Sequence, residues 1–314
     1  MKAALYRRYG DADVLEYADI ARPVPGAGEV LVKVAGTSFN PVDSGIRGGY
    51  LTEAFPIDFP HVPGIDVAGT VAEIGDAVTE WKAGDAVIGL LPMTAPGAAA
   101  EYVIAPADVL ASAPATGALA DAAALPTVGL TAWQALFEVA HLHNGQTIFI
   151  NGAGGAVGSY AVQLAKAAGA VVTATAKPAD AQRLRDRGAD RIVDYLDYRM
   201  TPLAVAGQPF DVVLNLVSTD AEQTAALIDI ITDGGVFVGT MTSGPDEPPR
   251  GVQAQRVFVR SDAAQLRDLV QRVDTGQLQI DVADRRPLSA IAAVHADADE
   301  GRLPGKTIIM PGTD

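Results

Sequence analysis

Short hydrophobic runs, separated by glycine, proline and polar residues, fill the first third of the chain. The runs are Ala3–Tyr6, Glu29–Thr37, Gly69–Ile74, Ala86–Leu91 and Ala100–Ile104. Short strands spaced so closely are typical of an antiparallel barrel rather than of a parallel sheet. We therefore expect residues 1–115 to form a compact antiparallel β-barrel.

Over residues 119–260, hydrophobic runs alternate with helical patterns. The runs are Thr147–Ile150, Val171–Ala176, Arg191–Val193, Val212–Leu216, Val236–Gly239 and Arg256–Val259. This alternation predicts a doubly wound parallel sheet of about six strands. The tail then predicts two helices, Asp262–Thr275 and Leu288–Glu300, and a closing strand, Lys306–Met310.

The segment at 147–177 carries the clearest chemical signal. Its first strand leads into Gly152-x-x-Gly155-x-x-Gly158, which is followed by a helical stretch, Val157–Ala168, and a second strand, Val171–Ala176. A turn without Cβ atoms lets a pyrophosphate approach the backbone, and the helix N-terminus favours its negative charge. In this strand–turn–helix–strand context we expect dinucleotide binding. The alternative is a glycine turn that serves packing alone. The predicted contacts are Gly152, Ala153, Gly155, Ala156, Val157 and Gly158.

The end of the second strand indicates which dinucleotide binds. An NAD site usually carries Asp or Glu there, about twenty residues beyond the glycines, for the ribose 2′-hydroxyl. Here the strand ends Thr175-Ala176-Lys177, and the next acidic residue is Asp180. Lys177 suits a 2′-phosphate, with the Thr175 hydroxyl as a donor and Arg183 as a second cation, which favours NADPH. Alternatively, Lys177 is a solvated lysine and Asp180 is the N-cap of the next helix.

Composition and charge narrow the class of protein. The 314 residues are 49% apolar with 32 Gly and 20 Pro, as in a globular α/β protein with room for two domains. The net charge of −15 argues against a nucleic acid or an anionic membrane surface as partner. The absence of cysteine excludes disulfides and cysteine-ligated zinc. Without a run of about 20 apolar residues or a signal peptide, we expect a soluble cytoplasmic protein.

Several strings, taken in their order and spacing, resemble one known family. They are Asn40-Pro41-Val42-Asp43, Arg47-Gly48-Gly49-Tyr50, Pro63-Gly64-Ile65-Asp66-Val67-Ala68-Gly69, Gly84-Asp85, Gly129-Leu130-Thr131-Ala132-Trp133, the glycine turn, Gly188-Ala189-Asp190, Gly234-Gly235 and Gly305-Lys306. Nearly end to end, the chain resembles the medium-chain dehydrogenases/reductases, in their zinc-independent quinone oxidoreductase branch. The resemblance implies an α/β fold in which a GroES-like β-barrel catalytic domain (1–117 and 261–314) carries an inserted Rossmann NADP-binding domain (118–260), with the active site in the cleft between them.

The resemblance also bears on metal binding. Where the metal-using branch keeps a cysteine and a Gly-His-Glu, this chain has Asn40 and Gly64-Ile65-Asp66. Ile65 cannot ligate a metal, and His61 has no second histidine near it in the sequence. We therefore expect no metal. Hydride from NADPH would then go to an acceptor that is already electrophilic, such as a quinone or an α,β-unsaturated carbonyl compound.

Three residues in the family pattern are expected around the nicotinamide and the substrate. The Asn40 amide could donate to the oxygen that gains charge, and the Tyr50 phenol could donate a hydrogen bond or a proton. Asp43 is expected to fix the loop through backbone N–H groups rather than to act as a base. The alternatives are that Asn40 forms only an Asx turn and that Tyr50 packs under the loop.

Further cofactor contacts are implied by the same resemblance. Thr127 and Thr131 should lie by the nicotinamide, and Tyr195 by the adenine or the 2′-phosphate unless it is a surface residue. Backbone groups at the ends of two later strands should meet the nicotinamide ribose and carboxamide. These are Leu216 and Val217 after the fourth strand, and Gly239 and Thr240 after the fifth.

Two alternatives to a broad quinone reductase remain open. One is a dedicated enoyl or enone reductase of a biosynthetic pathway, and the other is a non-catalytic relative that binds NADPH. The partner is a small-molecule substrate in either enzyme. The last two runs of the sheet, Val236–Gly239 and Arg256–Val259, would leave an apolar edge strand, and relatives commonly pair this edge across a two-fold axis. We therefore expect a homodimer.

Overall fold

A computed structural model describes residues 1–200 and 202–312. The contacts divide the chain into two compact units. The barrel unit contains Met1–Thr127, Ser261–Gly276 and the described chain from Ile280 onward. The sheet unit contains Val128–Arg260 and Gln277–Gln279.

Most strands of the barrel unit pair in an antiparallel way. β1 (Lys2–Leu5) and β2 (Glu16–Asp19) form a two-stranded sheet. The other strands are β3 (Glu29–Ser38), β4 (Asp66–Ile74), β5 (Ala86–Leu90), β6 (Tyr102–Pro106), β7 (Leu110–Ser112), β14 (Asp284–Pro287) and β15 (Thr307–Met310). These strands form one sheet in the order β14-β15-β3-β4-β5-β7, and β6 pairs with β3 in addition. Within this order β14 and β15 are parallel, and the other neighbouring strands are antiparallel.

Hydrophobic residues alternate along these strands and build the core of the barrel unit. On β3, the side chains of Val30, Val32 and Val34 are buried together with Val67 and Val71 of β4. This period of two is the pattern expected when one face of a strand meets a core. The strand β15 joins the first part of the chain to the last, because Ile308 and Ile309 pair with Ser38 and Thr37.

The described part of the barrel unit includes the α-helices α1 (Pro41–Arg47), α6 (Ala263–Asp274) and α7 (Ile291–Asp299). Asp262 caps α6, since its carboxylate accepts hydrogen bonds from the N–H groups of Ala264 and Gln265. The buried residues of α6 are spaced three and four apart, as an amphipathic helix requires: Leu266, Leu269 and Val270.

The sheet unit is built on six strands in the order β10-β9-β8-β11-β12-β13, and every neighbouring pair is parallel. Its strands are β8 (Thr147–Asn151), β9 (Val171–Thr175), β10 (Arg191–Val193), β11 (Phe210–Asn215), β12 (Ile231–Gly239) and β13 (Gln253–Arg256). The helices α3 (Ala156–Ala167), α4 (Pro178–Asp186) and α5 (Ala221–Asp229) alternate with them, and α2 (Pro126–Trp133) continues as a π-helical turn, Gln134–Val139. The central strands are hydrophobic on both faces, as in a sheet covered by helices.

This architecture confirms the predicted fold class, a GroES-like β-barrel with a Rossmann-type parallel sheet. One predicted strand, Arg256–Val259, is wrong in its position. The structure pairs Gln253–Arg256 with β12 instead, and Phe258 beyond it is 70% exposed. The prediction placed the strand on the hydrophobic run, but β13 is an edge strand, whose residues need not be apolar.

The division of the chain also differs in detail from the predicted boundary at 117. Residues 118–127 belong to the barrel unit. Ala120 packs closely on Gly36 of β3, since a Cβ on Gly36 would lie 2.7 Å from the Ala120 carbonyl oxygen. Gln277–Gln279 belongs to the sheet unit, because Gln163 and Gln279 exchange hydrogen bonds. In the described part of the chain, no helix is long and apolar enough to span a membrane.

Candidate functional site

The glycine turn of the sheet unit lies between β8 and α3, at the carboxyl edge of the parallel sheet. Gly152 has a φ of +88°, and a Cβ there would lie 2.8 Å from Val217 Cγ1. A Cβ on Gly158 would lie 2.5 Å from Ala153 Cα, so glycine at this position lets α3 pack against the turn. The glycines therefore meet the steric demands of a dinucleotide turn.

The N-terminus of α3 opens onto this turn. Its N-cap is Gly155, which has no side chain to satisfy the first N–H groups of the helix. The atom nearest to a Cβ at Gly155 would be the Gly152 carbonyl oxygen, at 3.4 Å, so a ligand can approach the backbone. Ala156 and Val157 form the first turn, at the positive end of the helix dipole. These residues fit a pyrophosphate group.

The two cations that the sequence assigned to a 2′-phosphate differ in their contacts. Lys177 is exposed and is the N-cap of α4. Arg183 Nη2 donates to the Gly154 carbonyl oxygen and to Asp180 Oδ1, at 3.0 Å each. The alternative that Asp180 caps α4 is therefore wrong: it lies in the first turn of the helix and pairs with Arg183. Lys177 therefore faces solvent at this edge of the sheet.

The last residues of β9 are buried. Thr175 is 0% exposed, and Ala176 after it is 3% exposed. Thr175 Oγ1 accepts a hydrogen bond from the N–H of Gly152, at 2.7 Å, and donates one to Asn151 Oδ1, at 3.3 Å. The hydroxyl that the sequence suggested as a donor to a phosphate is thus committed within the sheet unit.

The segments predicted to meet the nicotinamide lie side by side at the same edge. Asn215, at the end of β11, pairs in register with Asn151 of β8 and Gly239 of β12. Leu216 N–H donates to the Asn151 carbonyl oxygen at 2.9 Å, and Thr240 N–H donates to that of Asn215 at 3.1 Å. The strand register therefore brings these backbone groups together.

Tyr195 and Val217 are exposed members of the predicted cofactor set, at 54% and 37%. The tyrosine that joins the buried polar groups is Tyr198, whose hydroxyl accepts a hydrogen bond from Asn151 Nδ2 at 3.1 Å. The sequence did not single out Tyr198.

In the barrel unit, Asn40 and Asp43 sit at the start of α1. Asp43 Oδ2 accepts from the N–H of Asn40 at 2.9 Å, and Oδ1 accepts from the N–H of Gly64 at 3.2 Å. Burial raises the pKa of Asp43 to about 7, although these two N–H groups act in the opposite direction. Asp43 therefore joins the loop before α1 to the loop before β4, which is the fixing role expected of it.

Asp66 is the centre of a buried polar cluster that the sequence did not assign. Its carboxylate is 0% exposed and accepts from Ser38 Oγ at 2.5 Å and Asn40 Nδ2 at 2.8 Å. On its other oxygen it accepts from both the N–H and the hydroxyl of Thr127, at 2.7 Å each. Thr127, which the resemblance had placed by the nicotinamide, is thus fixed by Asp66.

Lys306 supplies the positive charge of this cluster. Its Nζ donates to Asn40 Oδ1 at 2.7 Å, to the Phe39 carbonyl oxygen at 3.2 Å and to Asp66 Oδ2 at 3.3 Å. Burial lowers the pKa of Lys306 from its usual value, while the charge of Asp66 acts against that shift. The three hydrogens of the Lys306 ammonium thus each have an acceptor. Asn40 is held by Lys306 through its amide oxygen and by Asp66 through its amide nitrogen.

Tyr50 lies apart from this cluster. It is 82% exposed, and its ring covers Gly48, where a Cβ would lie 2.5 Å from Tyr50 Cε2. Packing under the loop is therefore not its role. Thr131 lies on α2 in the sheet unit and is 8% exposed.

His61 is buried, and burial lowers its pKa to about 4, so it is neutral at pH 7. Across residues 1–200 and 202–312, no group of three or more His, Cys, Asp or Glu side chains could hold a metal ion. In the region where the metal-using branch has its ligands, this chain instead places the Lys306 ammonium between Asn40 and Asp66.

Sequence reasoning missed Asp66, Lys306, Asn151 and Asn215 as members of the buried clusters. For Asp66 a signal existed, because a charged residue stands inside the apolar stretch that begins β4 and a buried charge requires a partner. Gly305-Lys306 was one of the family strings, but nothing local showed that Lys306 would pair with Asp66, 240 residues away in the sequence.

A GroES-like barrel together with a Rossmann sheet and a dinucleotide turn defines an oxidoreductase of the medium-chain dehydrogenase/reductase class. Two family models match the chain: the one described as Alcohol dehydrogenase GroES-like domain over residues 26–115, and the one described as Zinc-binding dehydrogenase over 187–309.

Individual relatives match nearly the whole chain. The chloroplast envelope quinone oxidoreductase homolog of Arabidopsis thaliana is 33% identical, over 99% of this chain and 98% of its own. The 2-methylene-furan-3-one reductase of Solanum lycopersicum is 32% identical, over 99% and 79%. A solved mycobacterial structure in complex with NADPH is 27% identical with a TM-score of 0.84, over 99% and 100%. This chain belongs to the medium-chain dehydrogenase/reductase family, in its quinone oxidoreductase branch.

Proposed function

We propose that the enzyme uses NADPH to reduce quinones or other conjugated carbonyl compounds by hydride transfer, without zinc. The observation that carries this proposal is the glycine turn beside the open N-terminus of α3, with an exposed Lys177 and no acidic residue at the end of β9. An acid at that position would favour the free 2′-hydroxyl of NADH, whereas a cation favours the 2′-phosphate of NADPH. When bound, the nicotinamide supplies the hydride.

Asn40 is the residue to which we assign stabilisation of the acceptor. A conjugated acceptor places its incoming charge on an oxygen, which needs a hydrogen-bond donor and no metal. One amide hydrogen of Asn40 bonds Asp66, and the other faces the Ser38 carbonyl oxygen at 3.4 Å, a long contact that a substrate oxygen can replace. Lys306 on Oδ1 polarises the amide and so strengthens its N–H as a donor.

Tyr50 is our candidate for the proton donor, because its phenol is exposed and free to meet a substrate. An enolate needs a proton at carbon, for which a positioned acid contributes about 10²–10⁴ in rate. The oxygens of a reduced quinone take protons readily from water. Tyr50→Phe should therefore slow enone reduction and leave quinone reduction near normal, and equal effects on both would contradict this role.

The experiment that tests the proposed function is a substrate panel. NADPH consumption is measured with quinones, 2-alkenals, cyclic enones and enoyl thioesters, with saturated alcohols and NADP⁺ as the negative control. Turnover of quinones and enones supports the proposal. Turnover confined to enoyl thioesters or to one enone would identify a dedicated biosynthetic reductase. Tight NADPH binding without turnover of any acceptor would identify a non-catalytic relative.

We also propose that the enzyme is a homodimer. In the described structure β13 is one of the two edge strands of the parallel sheet, and Phe258, just after it, is exposed with the Arg256 guanidinium 4.6 Å from its ring centre. A second copy that pairs along β13 would cover this edge. Light scattering should give twice the 32.4 kDa mass of the chain, and a monodisperse monomer at micromolar concentration would contradict the proposal.

The cytoplasmic location remains a prediction, which we retain as a proposal. The Arabidopsis relative is named for the chloroplast envelope, so membership of the family does not fix a compartment. Fractionation of the source cells, followed by immunodetection of the chain, tests it.

A further inference from the structure

A chain of neutral side-chain hydrogen bonds crosses the carboxyl ends of three strands in the sheet unit. From β9, Thr175 Oγ1 donates to Asn151 Oδ1 on β8 at 3.3 Å. Asn151 Nδ2 donates to Asn215 Oδ1 on β11 at 2.9 Å, and Asn215 Nδ2 donates to Thr219 Oγ1 at 3.0 Å. All four side chains are buried, at 0–8% exposure. The network continues through the Thr219 hydroxyl to that of Thr242, at 3.1 Å, in the loop after β12.

Thr175 and Asn215 use their hydrogen-bonding groups in defined directions. Thr175 gives its hydroxyl hydrogen to Asn151, so its lone pairs are free to accept the N–H of Gly152 at 2.7 Å. Asn215 donates its second amide hydrogen to the Val217 carbonyl oxygen, at 3.1 Å. The network therefore holds two backbone segments, the glycine turn and the segment after β11.

We infer that Thr175, Asn151 and Asn215 are positioning residues that set these two segments in the conformation that binds the dinucleotide. The inference rests on the proposed NADPH binding. Gly152 is held in a left-handed conformation, and its N–H is already satisfied by Thr175. The phosphate must then be met by the first turn of α3, and Thr175 acts on the cofactor through Gly152 rather than by touching it.

Preorganisation of the glycine turn explains why such a network would strengthen cofactor binding. A turn that is already fixed loses less conformational freedom when the ligand arrives, so affinity rises without a new contact. If the Thr175 hydroxyl is removed, the half-buried N–H of Gly152 loses its acceptor, and a relaxed turn becomes preferable to the binding conformation.

The chain offers a matched control on the same strand. Thr173 is also 0% exposed, two residues before Thr175, and its hydroxyl is buried without a hydrogen-bond partner. Thr173→Val and Thr175→Val remove the same atom from the same strand, and only the second breaks the network. Thr175→Ser keeps the hydroxyl and should restore most of the function.

The experiment measures two quantities in the parent and these three variants. The first is amide hydrogen exchange of Gly152 in the cofactor-free protein by NMR, and the second is the Kd for NADPH and for NADH by titration. Thr175→Val should speed exchange at Gly152 and weaken both cofactors by the same factor, about tenfold. Thr173→Val should match the parent in both measurements.

Three outcomes would overturn the inference. Unchanged Gly152 exchange in Thr175→Val would mean that the hydroxyl does not hold the turn. Faster exchange with an unchanged Kd would mean that the turn does not limit binding. A loss confined to NADPH would show that Thr175 touches the 2′-phosphate directly. If the parent binds neither cofactor, the proposed function fails and the positioning role with it, while Gly152 exchange still reports whether the hydroxyl orders the turn.

Discussion

The barrel unit and the sheet unit each contain a buried polar network among their candidate site residues, but the two networks differ in charge. In the barrel unit the network is built on a carboxylate and an ammonium, Asp66 and Lys306, with Asn40 held between them. In the sheet unit it consists of amides and hydroxyls, among them Asn151 and Thr175.

This difference in charge predicts how each network responds when one of its side chains is removed. A buried charge without its partner is much more costly than an unpaired dipole, so the barrel network is stable only when it is complete. The neutral network loses about 1–3 kcal/mol for each buried group that is left unpaired, and can therefore fail in steps. The charged network holds a side chain, Asn40, whereas the neutral network holds backbone segments.

The largest expected effect is the loss of one partner of the charged pair. Lys306→Met or Asp66→Asn should each lower the free energy of unfolding by about 3–5 kcal/mol, because each leaves a buried charge uncompensated. The double variant should cost clearly less than the sum of the two. Denaturant titrations of the parent and three variants measure this coupling.

Lys166→Met is the matched control, because Lys166 pairs with Asp190 at 2.5 Å but is 46% exposed. It should cost less than about 1 kcal/mol. The comparison between the two networks breaks down if Lys306→Met costs no more than Thr175→Val.

The next effect separates chemistry from binding. If Asn40 stabilises the charged oxygen of the acceptor, Asn40→Ala should reduce kcat by about 10²–10³ and change KM much less, since the bond strengthens in the transition state. The Kd for NADPH should stay close to that of the parent. Steady-state kinetics with a quinone and an enone test this, and a normal kcat on both would remove Asn40 from the mechanism.

Cofactor choice should depend on the sheet unit alone. If Lys177 meets the 2′-phosphate, the parent should bind NADPH at least about tenfold tighter than NADH, because a charge-assisted hydrogen bond contributes about 1.5–3 kcal/mol. Lys177→Ala should erase most of that preference, with kcat at saturating NADPH little changed. Equal affinities in the parent would contradict the assignment and would make Asp180 the next residue to test.

The last effect is a dependence of stability on pH that originates in the barrel unit. Arg47 Nη1 and His295 Nδ1 are 2.9 Å apart, and burial together with the Arg47 charge lowers the pKa of His295 from 6.5 to about 3, while Asp299 acts against that shift. Between these values the unfolded chain binds a proton that the folded chain excludes. Stability should therefore fall as pH falls through this window, by at most about 1.4 kcal/mol per pH unit.

His295→Gln keeps an acceptor for Arg47 and removes the titration, so its stability should decline less from pH 7 to 5. Asp43 acts with the opposite sign between its ordinary pKa of 3.8 and about 7, since its raised pKa makes stability fall as pH rises. Both proteins contain Asp43, so its contribution cancels in the difference between their curves. Parallel curves for the parent and His295→Gln would refute the role of His295.

Much of the sheet unit could be predicted from the sequence, because its requirements are local. Strands β8 and β9 are mostly apolar because they are buried, and Gly152 and Gly158 stand where a Cβ would clash. The edge strand β13 was misplaced because a strand at the edge of a sheet need not be apolar. Tertiary position, rather than the pattern of residues, decided its bounds.

The barrel site was less predictable because its partners are distant in sequence. The strings around Asn40 and Asp43 predicted site residues, but the hydrogen bonds that fix the Asn40 side chain involve Asp66 and Lys306. Charge compensation between such residues is a property of the folded chain. A sequence can show that a charge lies in an apolar stretch without showing which residue will neutralise it.

The pairing of Asp66 with Lys306 has a consequence for synthesis of the protein. A growing chain completes the sheet strands β8–β13 before Lys306 leaves the ribosome, so the Rossmann sheet can form while the barrel still lacks its closing strand, β15. Until then Asp66 has no ammonium to neutralise it, and a prematurely closed barrel would bury an uncompensated charge. The barrel therefore cannot close with its buried charges paired until Lys306 has been synthesised.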